Sequence, residues 1–189
     1  MDLPYTTRRL VAVALLLSNA TACGTGTDAP AKGSDDPVCG LVSRALVRRL
    51  VGDDAIDTRG GGITSRAERV RQPSTCDVID ADLTRTMLSI SVGEVTDPSR
   101  WRRTLATEEK DATDICRSYT GNPGDGYGCT YDSGTLVDGA GVNVLRGDRL
   151  IRITIMQWVR ATPPQRLALA EEIARNVDAN VTAYDAGDG

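Results

Sequence analysis

The sequence predicts an α+β domain, an antiparallel sheet packed with helices and braced by disulfides. Three observations predict it. Leu88, Ile90 and Val92 alternate with Ser89, Ser91 and Gly93, the period of a strand with one buried face. Gly147-Asp148 separates two strand-like runs, 142–146 and 149–159, as a tight hairpin turn does. Amphipathic helical stretches stand between the strand groups, and tightly joined strands favour an antiparallel sheet over a parallel one.

Along the chain, Ser43 is an N-cap and Gly52 a C-terminal stop, with Leu46, Val47, Leu50 and Val51 on the inner face and Arg44, Arg48 and Arg49 outside. The glycines at 60–62 lack the spacing and lysine of a phosphate loop and read as a turn. Residues 75–83 form the partner strand that carries Cys76. Asp97-Pro98 opens a second helix whose inner face runs Trp101, Leu105, Ala112, Ile115. Residues 122–128 (NPGDGYG) read as a loop, and 127–131, 135–137 and 142–146 as short strands. In the last strand Ile151, Ile153 and Ile155 share one face, and Leu150, Arg152, Thr154, Met156 and Trp158 the other. Thr162-Pro163-Pro164-Gln165 is a capping box that leads a helix lined by Leu167, Ala170, Ile173, Ala174 and Val177. The domain is expected over 37–184, with 185–189 a flexible acidic tail.

Composition narrows the function. The 189 residues contain no histidine, which removes Ser-His-Asp and Cys-His nucleophile pairs and His-ligated zinc. A net charge of −4 argues against a nucleic-acid partner. Of 22 basic residues only Lys32 and Lys110 are lysine; that bias fits GC-rich coding unless the arginines converge on an anion.

The first 22 residues read as a secretory signal peptide. Arg8 and Arg9 precede an apolar run from Leu10 to Leu17 that spans about 12 Å as a helix, against a hydrocarbon core of about 30 Å. Ala20-Thr21-Ala22 is an ordinary cleavage site, yet with Cys23 it also resembles a bacterial lipobox, which marks Cys23 for lipidation. Parity favours the lipobox, because removal of Cys23 from the pool leaves an even set, Cys39, Cys76, Cys116 and Cys129, in an oxidising compartment. Residues 24–36 hold no large apolar side chain and read as a flexible tether reaching roughly 20 Å. The paired arginines also admit twin-arginine export.

Four cysteines allow three pairings. Cys39–Cys76 would tie the first helix to the sheet, and Cys116–Cys129 would close the glycine-rich loop, so this pairing is the favoured one. The acidic doublets Asp35-Asp36, Asp53-Asp54, Glu108-Glu109 and Glu171-Glu172 read as exposed helix and loop charges rather than catalytic dyads. A loose cation site at Asp125, Asp132 or Asp138 is a minor reading, as is adhesion through Arg146-Gly147-Asp148. Met156 and Trp158 either join the core on the second sheet face or line a ligand pocket between sheet and helix.

Pro37-Val38-Cys39-Gly40-Leu41, with Cys76 some 37 residues later and a closing strand–strand–helix unit, resembles a family of actinobacterial cell-envelope lipoproteins without a settled activity. Relatives of that family are similar to the PsbP-like sandwich. The resemblance implies a lipidated Cys23, a tether and a paired first and second cysteine; this chain differs in having no aromatic beside Cys76 and in adding Cys116 and Cys129. The expectation is a domain held by its lipid on the outer face of the membrane, without cofactor, metal or catalytic residues, that binds an envelope ligand or protein.

Overall fold

A computed structural model describes residues 36–52, 57–80, 84–112, 115–131 and 139–187. Cys23, the signal peptide, residues 24–35 of the tether, Asp35, Asp53, Asp54, Asp132, Asp138 and the strand expected at 135–137 lie outside the described residues.

Helix α1 (Arg44–Val51) starts where the Ser43 side chain accepts the Leu46 N–H and ends at Gly52, whose φ of 88° suits only glycine. It buries Leu46, Val47 and Leu50. Strand β1 (Asp57–Arg59) and the one-turn helix α2 (Arg66–Arg69) follow, and neither was legible in the sequence. The 60–62 loop is the expected turn; it leads to Ile63, whose N–H donates to Cys39 O at 2.9 Å. Strands β2 (Ser74–Ile79) and β3 (Thr86–Glu94) pair antiparallel, so the strand read at 75–83 ends at Ile79.

Helix α3 (Pro98–Asp111) is capped by the Asp97 side chain, which accepts the Arg100 N–H. It stops sooner than its apolar spacing suggested. Ala112 is extended, and Ile115, expected on the inner helix face, belongs to strand β4 (Ile115–Tyr119) and is 79% exposed. Strand β5 (Asp125–Tyr131) begins inside the NPGDGYG stretch expected as a loop. Strands β6 (Gly139–Arg146) and β7 (Arg149–Met156) are the two arms of the hairpin, with Gly147 at φ 64° in its turn. The last strand thus closes at Met156 rather than 159. Helix α4 (Pro163–Ala186) carries the predicted capping box, with the Thr162 N–H donating to Gln165 Oε1 at 2.9 Å.

The strands form one seven-stranded sheet in the order β1-β2-β3-β7-β6-β5-β4, every pairing antiparallel. One face carries Leu88, Ile90, Val92, Val142, Val144, Ile151, Ile153 and Ile155, packed with α1 and with Leu167, Ala170, Ile173, Ala174, Val177 and Val181 of α4. A smaller cluster on the other face joins Leu105 of α3 to Tyr127, Cys129, Leu145 and Leu150. The fold is α+β, as the patterning predicts.

Both disulfides form in the favoured pairing. Cys39–Cys76 pins the turn before α1 to β2. Cys116–Cys129 joins directly opposed residues of β4 and β5, so it staples the sheet edge as well as closing the turn.

Candidate functional site

Three apolar rows run into charges at one end of the domain. Leu88, Ile90 and Val92 of β3 continue at period two to Glu94, and Ile155, Ile153 and Ile151 of β7 continue to Arg149, its cross-strand partner. On α4 the stripe through Val177 and Val181 reaches Asp185 one turn later. Into this convergence α2 directs Arg69, whose side chain is fully buried.

Arg69 Nη2 donates to Glu94 Oε1 at 2.9 Å and to both Asp185 oxygens at 2.8 and 2.6 Å, and Nη1 donates to Thr64 O. Arg149 donates to Asp178 Oδ1 at 2.7 Å, Thr182 Oγ1 at 2.9 Å and Asp185 Oδ2 at 3.0 Å. Burial works against the Arg69 charge, but the bonds and charges of Asp185 and Glu94 outweigh it and hold its pKa above the ordinary value. Burial likewise pushes the Asp185 carboxyl up, and Arg69 and Arg149 overcome it, so the carboxyl lies below the usual range. Asp185, expected in a flexible tail, is thus a helical residue in an ion-pair network. The arginines do converge, but on carboxylates of their own chain. Glu94 Oε2 and Arg149 Nε are buried without a hydrogen bond. The network is a lock between α2, the sheet and α4.

The RGD residues are spent in the same region. Arg146 pairs with Asp178 at 3.4 Å, and Asp148 pairs with Arg66. Asp125 accepts Arg102 Nε at 3.0 Å and the Gly121 N–H at 3.1 Å, so it is a turn carboxylate. Among the described residues no cluster of three or more Cys, Asp or Glu side chains could hold a metal ion.

Trp158 lies beyond the end of β7. It is 45% exposed, with the Arg85 guanidinium 4.7 Å from the ring centroid. It is therefore not second-face core. Met156 is half-buried at the end of β7.

The apolar concavity lies elsewhere, where edge strand β4 meets the start of α4. A groove of about 410 Å³ is lined by Ile115, Cys116, Arg117, Thr130, Pro163, Pro164 and Leu167. Arg117 is held over it: Nε donates to Tyr119 Oη at 3.0 Å, and both Arg117 Nη2 and the Tyr119 hydroxyl donate to Glu171. No family model, curated protein or solved structure matches this chain. The groove is not legible in the sequence, because Ile115 continues the apolar spacing of α3 and yet lies on edge strand β4.

The groove stands away from the point where the chain enters the domain. Leu41 O accepts Asn180 Nδ2 at 3.0 Å, and the Ser43 N–H donates to Asn176 Oδ1 at 2.7 Å, so entry lies beside the C-terminal half of α4. Pro163 is 17 residues before Asn180 on the same helix, about 25 Å along its axis.

Proposed function

We propose that this chain is a lipid-anchored module of the outer face of a bacterial membrane that binds an envelope protein partner and has no catalytic chemistry of its own. The observation that carries the binding role is the open apolar groove beside β4. An enclosed pocket would favour a small ligand; this concavity is half open to solvent and borders a strand edge. Anchoring is supported by Ala20-Thr21-Ala22-Cys23 and the tether composition, and export by two disulfides formed from the remaining cysteines. The absence of histidine and the mutual engagement of the buried charges support a non-enzymatic role.

Intact mass spectrometry of the chain extracted from its own membrane tests the reading. The expected mass begins at Cys23, carries a diacylglyceryl increment and lacks the four hydrogens of two disulfides. A plain peptide mass overturns the anchor. A small molecule retained natively and lost on denaturation overturns the choice of a protein partner.

A further inference from the structure

The geometry points to β4 as a strand-addition site, taking an extended segment of a partner protein that carries apolar side chains at alternate positions and a carboxylate to face Arg117. The inference rests on the partner-binding reading above and names its chemistry.

The two edges of the sheet differ. Strand β1 is three residues long, and all of them, Asp57, Thr58 and Arg59, are exposed and polar or charged. Such an edge resists pairing. Strand β4 is five residues long, its outer side is unpaired among the described residues, and it presents Ile115 at 79% exposure. The Cys116–Cys129 disulfide holds this edge against β5, so its backbone groups are fixed in ladder geometry before a partner arrives.

Side chains supply the selectivity. Ile115, Arg117 and Tyr119 share the α4 side of β4, so a strand added there sends every second side chain toward Pro163, Pro164 and Leu167. Among the described residues that line the groove Arg117 is the one charged side chain, and it is ion-paired on one side with Glu171. Its Nε and Nη2 are engaged and its Nη1 has no partner among the described residues, which leaves one donor pair for an incoming carboxylate.

Photo-cross-linking in the protein's own cells tests this on the full chain, with p-benzoylphenylalanine replacing Ile115 or, on the opposite edge, Thr58. The expected product forms at Ile115 with a segment of another protein that carries apolar residues at alternate positions and an acidic residue in that same register. Its yield falls about tenfold when Arg117→Glu is added. A synthetic peptide of that segment, mixed with the mature lipoprotein in detergent, slows amide exchange across 115–119 about tenfold. A product with a second copy of this chain, or a captured segment that leaves those amides unprotected, overturns strand addition. Products at Thr58 alone leave the partner-binding reading standing and remove β4 from it. No product at either edge removes both.

Discussion

Arg69, in a helix of four residues, and Asp185, in the last turn of α4, are joined by two hydrogen bonds of 2.6 and 2.8 Å across 116 positions of sequence. The same guanidinium holds Glu94 on β3. One side chain thus fastens the one-turn helix, the sheet and the C-terminal helix. Arg69→Met removes the buried guanidinium that both carboxylates share and leaves Glu94 and Asp185 to Arg149, which is 3.0 Å from Asp185 and 3.6 Å from Glu94. The expected loss is about 3–5 kcal/mol in urea denaturation, the cost of removing one partner of a buried pair. Asp185→Asn is milder, because Arg69 keeps Glu94 and Asp185 is partly exposed.

Acid should unlock the same contact. The folded Asp185 carboxyl lies below its unfolded value, so its contribution is complete above about pH 4 and fades as pH falls through the folded pKa. The wild-type chain is expected to lose stability over that acid range, and Asp185→Asn to flatten the limb. Denaturation midpoints measured from neutral to strongly acid pH check this; parallel curves for the two proteins would refute it.

Tyr127 governs the opposite limb. Burial, then the charge of Glu108, push its hydroxyl up to about 12, and the hydroxyl donates to Glu108 Oε2 at 3.2 Å. A folded pKa raised above the unfolded value of about 10 gives stability that is full below that pH and lost as pH rises through the folded pKa. Tyr127→Phe should remove this alkaline dependence. Ultraviolet titration of tyrosinate should show the slowest-rising component disappear in the variant.

What local chemistry decides was legible; what packing decides was not. Ser43 with Gly52, the Thr162–Gln165 box and the Gly147-Asp148 hairpin each rest on contacts within a few residues, and each formed as expected. Ile115 was misplaced because it continues the apolar spacing of α3, while the chain leaves the helix at Ala112 with ψ 132°. The 125–128 segment looked like a loop because glycines usually mark turns, whereas here they admit close neighbours across the sheet. The charge lock was hidden for a different reason. Glu94, Arg149 and Asp185 each stand one step beyond an apolar row, and only the extension of those periods through a charged residue could have exposed them.

The two disulfides should contribute unequally. Cys39–Cys76 closes a separation of 37 residues and Cys116–Cys129 one of 13, which loop-entropy estimates turn into about 4 and about 3 kcal/mol. The paired serine variants, Cys39→Ser with Cys76→Ser and Cys116→Ser with Cys129→Ser, are expected to fall in that order in urea. The second variant also frees β4 from β5 at the groove, so amide exchange at 115–119 should quicken more than at 74–79. The reverse pattern would show that the edge is held by its ladder alone.

Gly128 places a tyrosine. It lies on β5 under the Tyr119 ring, and a Cβ there would meet Tyr119 and come within 2.9 Å of Leu167 Cδ1. The absent side chain lets Tyr119 lie flat across the sheet, where its hydroxyl reaches Glu171 and accepts from Arg117. Gly128→Ala must displace that ring or Leu167, and overpacking of this kind costs about 1–3 kcal/mol. Gly147→Ala is the control, since nothing lies within 4 Å of its Cβ and only the positive φ opposes it. Tyr119→Ala should remove most of the penalty of Gly128→Ala, because the ring that the new methyl strikes is gone. A double-mutant cycle reads this as a coupling of at least about 0.5 kcal/mol, and additive effects would show that Leu167, not Tyr119, is the group displaced.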